Sequence, residues 1–436
     1  MPQTSRYTVM LNLDGGQYAF NAMSGGLAKV TSEQVHQLLC GQEPPDCTLA
    51  PAEQRDLERG WFLLPSGVDE LLVLRHRRDL ARFATGRMEL IILPTLDCNF
   101  DCVYCYEQSK RPVYMDDAVA GALVTWVSRR LSEVRALGVC WYGGEPLCAL
   151  DRIRELSPRL RELCSKQGLH YNATVVTNGY LLTPDVAEEL HRLGVSVAQV
   201  SLDGPREVHD RRRPLKTGKG TFDRIVDNLV YASKLFPISL RMTIDKTNFD
   251  AVLELNGILT SRGVTGANLY FGKTMSTQGC VVRPEDCFSG AEMHERLCEM
   301  LARRQLGGVD PVTFFPRPVT GACIATQGRA FAVCPDGAIH KCLETVDKPE
   351  EAIGWVQEDE LMIEKLLQWY TPDALTDDEC RSCSVLPLCF GGCPYTWRKQ
   401  GRPECIGAKT ELPRMLEAQA RYALWRKETA ASQAGK

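Results

Sequence analysis

No stretch of this sequence is long and apolar enough to suggest a membrane span. Its longest apolar stretches, such as Leu90–Leu93 and Val195–Val200, are strand-sized, against the ~20 residues that a spanning helix needs. The opening MPQTSRYTVM lacks the charged head and apolar core of a signal peptide. Charge of one sign is lacking too. The 51 basic and 55 acidic side chains leave a net charge of −4, and no basic run exceeds the short Arg211–Arg213 cluster. Such a balance attracts neither nucleic acid nor a membrane surface. Low-complexity segments are also missing. The expectation is a cytoplasmic chain whose 436 residues make two or three domains.

What the sequence has in excess is cysteine. There are 19, an odd number. In a secreted chain they would suggest disulfides, whereas in a reducing cytosol they suggest metal or redox chemistry. Two constellations stand out. One is Cys98-x3-Cys102-x2-Cys105. The other is Cys323, Gly337-x4-Cys342, Cys380-x2-Cys383-x5-Cys389-x3-Cys393 and Cys405. Cys40, Cys47, Cys140, Cys148, Cys164, Cys280, Cys287 and Cys298 follow no ligand spacing and read mainly as small core residues.

Residues 1–85 read as a small N-terminal unit. Two short strands, Tyr7–Leu13 and Gln17–Asn21, flank the turn Asp14-Gly15-Gly16, and helices follow over Ser32–Leu39 (capped by Thr31), Ala52–Arg59 and Val68–Phe83. That is the scale of a winged-helix module. Over residues 86–275 apolar strands alternate with helices. The strands are Leu90–Leu93, Gly138–Tyr142, Asn172–Thr177, Ser196–Leu202, Ile238–Ile244 and Ala267–Phe271. The helices are Asp116–Ser132, Ala149–Gln167, Pro184–Leu193, Thr221–Lys234 and Phe249–Ser261. This alternation predicts an α/β fold, a partial (β/α)6 TIM-like barrel with chemistry at the C-terminal strand ends. A doubly wound open sheet has the same spacing. Residues 276–322 form an irregular bridge with one helix near Ala291–Arg304. Residues 323–410 form a Cys-rich, loop-rich domain, and a last helix follows over 411–436.

Thiolates at the first spacing are soft ligands suited to an iron–sulfur cluster, and three of them leave one iron of a four-iron cluster open. With Tyr104 before the third cysteine, this loop resembles the signature of the radical S-adenosylmethionine superfamily. Three further motifs fall at strand ends where that family carries cofactor contacts. Gly143-Gly144-Glu145-Pro146 resembles the GGEP motif, whose acid meets the cofactor's ammonium. Thr177-Asn178 ends the third strand, and Ser201 and Asp203 end the fourth, where the family meets the ribose. His209-Asp210 and Arg213 fit an HDxxR pattern that offers an arginine to the cofactor's carboxylate. The resemblance implies reductive cleavage of S-adenosylmethionine to a 5′-deoxyadenosyl radical, fed by a low-potential donor such as flavodoxin or ferredoxin.

The second constellation resembles the SPASM extension of such enzymes, and three 4Fe–4S clusters in all are then implied. By that resemblance Cys323, Cys342 and Cys393 serve one auxiliary cluster, with Cys334 a possible fourth ligand. Cys380, Cys383, Cys389 and Cys405 serve the other. The paired short spacings would also suit a zinc ribbon. SPASM enzymes modify peptides or proteins. One subfamily installs thioether or carbon–carbon crosslinks in a ribosomal precursor peptide, and the N-terminal unit suits a module that adds the leader as a strand at the Tyr7–Leu13 edge. Another matures sulfatases. There an aspartate follows the cysteine matching Cys342 and acts as base, whereas here Leu343 follows and Glu344 comes next, a one-residue shift that on a strand would point the acid away. Tyr104, Asp336 and Glu344 are the candidate bases. A third reading is a non-catalytic metal protein that binds peptides.

Overall fold

The computed structural model describes residues 3–13, 16–42, 49–105, 107, 112–274, 282–303 and 315–434. The expected turn at Asp14-Gly15, and Cys47 and Cys280, lie outside these residues.

Six parallel strands form the centre: β1 (Arg87–Ile92), β2 (Ala136–Trp141), β3 (His170–Thr177), β4 (Val195–Ser201), β5 (Ile238–Ile244) and β6 (Ala267–Lys273). They lie side by side in chain order. The order never reverses, which rules out the doubly wound alternative, whose order turns back at a switch point. Helices α1 (Asp117–Ser128), α2 (Leu150–Lys166), α3 (Pro184–Arg192), α4 (Arg206–Arg212), α5 (Phe222–Ala232) and α6 (Val252–Ser261) intervene. The sequence pattern missed the short α4, whose seven residues are too few to show a helical period. Asp116 starts α1 by accepting from the Val119 amide at 2.8 Å.

The period-2 alternation of the strands explains why a cavity exists. On β1, Met88, Leu90 and Ile92 are buried against the helices, and so are Leu240, Met242 and Ile244 on β5. Each such side chain contributes about 1.5–3 kcal/mol by leaving water. The intervening positions face the concave side and, on β5, carry the polar residues Ser239, Arg241 and Thr243. Gln199 accepts from the Tyr270 hydroxyl there at 2.7 Å, and Ser201, Arg241 and Thr243 line the cavity.

The Cys-rich region extends the same sheet. Strand β7 (Ala330–Val333) pairs parallel with β1, and β8 (Ala338–His340) and β9 (Gly354–Trp355) continue antiparallel. Phe331 meets Trp126 of α1 edge to face at 5.3 Å. This attachment carries the turn after β8 to the mouth of the barrel.

The N-terminal unit is a three-stranded meander, Thr8–Leu13, Gly16–Asn21 and Gly26–Lys29, with Thr8–Leu13 at one edge. Two strands were expected; the third was missed because GLAK has no β-branched residue. Helices cover Glu33–Leu39, Pro51–Arg59 and Glu70–Arg82. Ser32 rather than Thr31 caps the first, accepting from the Val35 amide at 3.3 Å. Tyr7, Leu11, Phe20 and Leu74 share a core with Leu386, Phe390, Met415 and Leu416, so this unit packs on the Cys-rich region and the last helix, Ala408–Ala434. Among the described residues no helix is long and apolar enough to cross a membrane.

Candidate functional site

A cavity of about 200 Å³ opens at the C-terminal ends of the strands. Cys98, Cys102, Tyr104 and Cys105 line it from the loop after β1, and Gly143, Gly144 and Glu145 from the end of β2. Thr177, Asn178, Ser201 and Arg213 follow from the next two strand ends. Motifs more than 100 residues apart in the chain thus share one space.

Local bonds hold each of them. Gly143 has a φ of +133°, and a Cβ on it would stand 2.3 Å from the Thr95 carbonyl oxygen; one on Gly144 would stand 2.4 Å from that of Asp97. The Gly144 amide donates to Thr95 at 3.2 Å and the Glu145 amide to Asp97 at 2.8 Å. The two glycines therefore dock the backbone that leads into Cys98. Glu145 is fully buried and accepts from the Leu147 amide (3.1 Å), the Thr177 hydroxyl (2.7 Å) and the Asn178 amide (2.7 Å). Burial raises its pKa, against the pull of those donors. Asn178 donates to the Asn99 side chain at 2.7 Å, tying the third strand end to the cysteine loop.

Asp203 organises the far side of this wall. Its carboxylate accepts from the Thr243 amide (3.0 Å), the Tyr104 hydroxyl (2.5 Å) and Arg212 (3.4 Å). Arg213 donates to the Tyr104 oxygen at 2.6 Å, while its buried Nε has no partner among the described residues. Burial would lower the Arg213 pKa, but Cys102, Tyr104 and Asp203 outweigh it and hold the guanidinium charged. Burial raises the Tyr104 pKa. His209 accepts from the Asp203 amide at Nδ1 (3.1 Å), so its proton sits on Nε2. Burial, then Arg213 and Arg212, hold it neutral. It orients Asp203 and does not line the cavity.

Sequence reasoning missed Arg212 and Asp245, a fully buried pair at 2.7 Å. It also missed Arg241, Thr243, Lys273 and Thr274, which line the cavity from β5 and the end of β6. The strand-end rule that picked out the motifs on the first four strands would have found Asp245 and Thr274. Arg241 lies inside its strand and carries no such signal.

The candidate bases separate. Tyr104 and Glu344 line the cavity. Asp336 stands exposed in the β7–β8 turn, where it accepts from the Ala338 amide at 3.0 Å. The one-residue argument against Glu344 does not hold: β8 ends at His340, and Leu343–Thr345 is a 3-10 turn. Strand alternation does not apply there. Leu343 packs against Leu93, Leu96 and Val346, and the Glu344 side chain reaches the cavity. Burial raises the Glu344 pKa.

The C-terminal cysteines gather in two groups. Cys380, Cys383, Cys389 and Cys405 line one cavity of about 160 Å³. Lys409 Nζ lies 3.4 Å from the Cys405 sulfur. Cys323, Cys342 and Cys393 are near enough to act on one another. Burial, then Cys323 and Cys393, push the Cys342 thiol up to about 12. Between Cys389 and Cys393, Phe390, Gly391 and Gly392 all have positive φ (47°, 84° and 80°). This left-handed crook turns Cys389 to one group and Cys393 to the other. Cys334 is 2% exposed among Leu93, Leu96, Ala332 and Val346, and its thiol donates to the Val346 carbonyl at 3.4 Å. Lys341, also buried, donates to the Gln327 and Ala330 carbonyls at 2.5 and 2.6 Å, and burial lowers its pKa to about 7.

The donor sets fit iron–sulfur clusters. Burial, then Glu145, push the Cys98 thiol above its ordinary range. Each set offers cysteine sulfur, the soft donor that iron–sulfur clusters take.

Residues 92–255 match the Radical SAM superfamily. The serine-type anaerobic sulfatase-maturating enzyme of Klebsiella aerogenes is 25% identical over 330 residues, 71% of this chain and 80% of that protein. Two other curated relatives are spanned over less than half of their own length. Native anSMEcpe with bound AdoMet and the Kp18Cys peptide superposes with a TM-score of 0.59 at 19% identity, covering 80% of this chain and all of that one. Streptococcus suis SuiB bound to precursor peptide SuiA gives 0.52 at 15% identity, covering 93% of this chain and 98% of that one. At these identities the two structures share the fold.

Proposed function

The chain carries a radical SAM domain, and from that premise we propose that it oxidises a peptide by two electrons, forming a thioether or carbon–carbon crosslink in a ribosomally made precursor. Cys98, Cys102 and Cys105 would hold the 4Fe–4S cluster. Cys323, Cys342 and Cys393 would hold one auxiliary cluster, and Cys380, Cys383, Cys389 and Cys405 the other. With S-adenosylmethionine bound, the first cluster would supply a 5′-deoxyadenosyl radical to take one hydrogen atom from the peptide, and the auxiliary clusters would offer an acceptor for the second electron.

The rest falls to the chain's own residues. Glu145 would offer its carboxylate to the cofactor's ammonium, and Arg213, whose Nε has no partner among the described residues, would meet the cofactor's carboxylate. Ser201 stands for the ribose. The apolar flank of Tyr142 and Val176 keeps water from the reacting C–H. Glu344 is placed to take the proton released as the peptide is oxidised. The leader pairs along the Thr8–Leu13 edge. The observation that carries this reading is the meeting of the three thiols, Glu145, Asn178, Ser201 and Arg213 in one cavity.

The test is anaerobic incubation of the reconstituted enzyme with S-adenosylmethionine, a low-potential reductant and the short peptide encoded beside its gene. Deoxyadenosine together with loss of two hydrogens from the peptide is expected; no deoxyadenosine with every cluster loaded refutes the reading. Sulfatase maturation is the second reading, favoured by the sulfatase-maturating relative and by Glu344 in the cavity. A peptide unchanged in that assay, with formylglycine formed in a sulfatase-derived peptide, would select it.

A further inference from the structure

The wall opposite the motif residues is built differently. Arg241 and Thr243 come from β5, Lys273 and Thr274 from the end of β6 and the position after it, and Glu344 from the turn after β8. In register, Arg241 pairs with Ser201 on one side and Tyr270 on the other, and Lys273 with Ile244. Arg241 and Thr243 therefore stand on one face of β5, beside the Ser201 proposed for the ribose and further along the sheet from the cysteines.

Arg241 is held in place by an absence. A Cβ on Gly272, on the neighbouring strand, would stand 2.3 Å from Arg241 Nε and 2.9 Å from its Cζ. The guanidinium lies flat over the glycine, and any side chain there would push it off. Its Nε is buried and bonded to nothing among the described residues. The Lys273 side chain likewise has no hydrogen bond or ion pair with a described residue. The acids around them are otherwise engaged or too far. Glu145 accepts from three donors on its own wall and is assigned to the cofactor's ammonium, and Glu344 feels Arg241 without forming an ion pair with it. A half-buried cation with an unmet donor is costly unless a partner arrives.

We infer that Arg241, set over Gly272, with Lys273 at the rim of the same cavity, forms a subsite that binds a carboxylate of the peptide substrate beside the residue to be oxidised. The subsite rests on the reading of a peptide-modifying enzyme. It narrows the substrate to peptides with an acidic side chain, or a free C-terminal carboxylate, close to the modified residue. Arg213 on the other wall already serves the cofactor's carboxylate, so the two anions are kept apart.

The experiment uses the reconstituted full-length enzyme with S-adenosylmethionine and a short random-peptide library holding one fixed cysteine. Wild type should enrich peptides with Asp or Glu near the cysteine, or with an unblocked C-terminus. Enriched peptides are then remade with the acid as amide, and separately with the C-terminus amidated. One of these changes should weaken binding to wild type about tenfold or more, the size of one charge-assisted hydrogen bond, and it identifies the source of the carboxylate. Arg241→Gln should abolish that discrimination and Arg241→Lys should restore part of it. Equal binding of acid and amide forms would overturn the subsite. So would an Arg241→Gln variant that loses S-adenosylmethionine affinity while keeping the acidic preference, since the cation would then belong to the cofactor. Deoxyadenosine is measured alongside. Its production without acidic preference sinks the subsite alone, whereas its absence sinks the underlying reading.

Discussion

The two walls of the barrel cavity differ in how their polar groups are satisfied. On the wall of the first four strands, Glu145 has three donors, Asp203 three, and Asn178 is bonded to the cysteine loop, while the Arg213 Nε is left without a partner among the described residues. On the wall of the last two strands, Arg241 and Lys273 reach the cavity without partners among the described residues. A network closed except at Arg213 fixes most of the geometry before any ligand arrives, which suits a constant cofactor. Unmet donors leave binding energy for a ligand that varies from enzyme to enzyme. The difference teaches that one cavity can be rigid toward its cofactor and selective toward its substrate, with the boundary running between Ser201 and Arg241.

The largest effect that tests this division comes from the cysteine loop. Cys98→Ala, Cys102→Ala or Cys105→Ala should each abolish deoxyadenosine formation. The iron and sulfide bound by the C-terminal cysteines should remain, read as a fall of about one third in total content, from three clusters to two. Retained cleavage would break the assignment of the first wall to the cofactor.

Next in size is the buried pair behind that wall. Removing one partner of a buried ion pair costs about 3–5 kcal/mol, so Arg212→Met should lower the unfolding midpoint strongly by leaving Asp203 and Asp245 uncompensated. The pair also sets an acid limit. Burial would raise the Asp245 pKa, but the Thr247 hydroxyl and the Arg212 guanidinium outweigh it and hold the carboxyl below the ordinary value. A depressed pKa means stability that is fully present above the unfolded value and lost as pH falls through the folded one. Denaturation midpoints of wild type should thus drop steeply below about pH 4, and Asp245→Asn, already weaker at neutral pH, should be flatter there. An unchanged acid limb in Asp245→Asn would show that other groups set it.

This division also explains what was legible in the sequence. Six strands could be read from periodicity, because Leu240, Met242 and Ile244, for one, alternate with polar residues, whereas their order was left open by the spacing. The cofactor wall was legible because its residues sit in contiguous motifs whose spacing is local: a cysteine loop, a Gly-Gly-Glu-Pro turn, a Thr-Asn-Gly turn. Nothing in the sequence marks Arg241, since its role depends on a glycine one strand away. Glu344 was misjudged for a related reason. The break from strand to 3-10 turn after His340 rotates its side chain, and a period of two could not foresee that. The division of the C-terminal cysteines was implied by the resemblance, but not the left-handed crook at Phe390 that turns Cys389 and Cys393 apart, since a non-glycine residue gives no warning of a positive φ.

The smallest effect belongs to the substrate wall and sharpens the comparison most. Gly272→Ala changes one hydrogen to a methyl on an open strand face, where Arg241 can move into the cavity, so the cost to stability should stay within about 1 kcal/mol. Arg212→Met, by contrast, should cost several times that. If the walls divide the labour as argued, Gly272→Ala leaves S-adenosylmethionine affinity near its wild-type value, because no motif residue contacts Gly272, while the preference for acidic over amide peptides shrinks as the guanidinium is displaced. The check is a pair of titrations on one preparation, cofactor first and peptide second. A parallel loss in both would mean that the walls are mechanically one unit. A change confined to the peptide would mean that substrate choice can be altered at β6 without touching the radical chemistry.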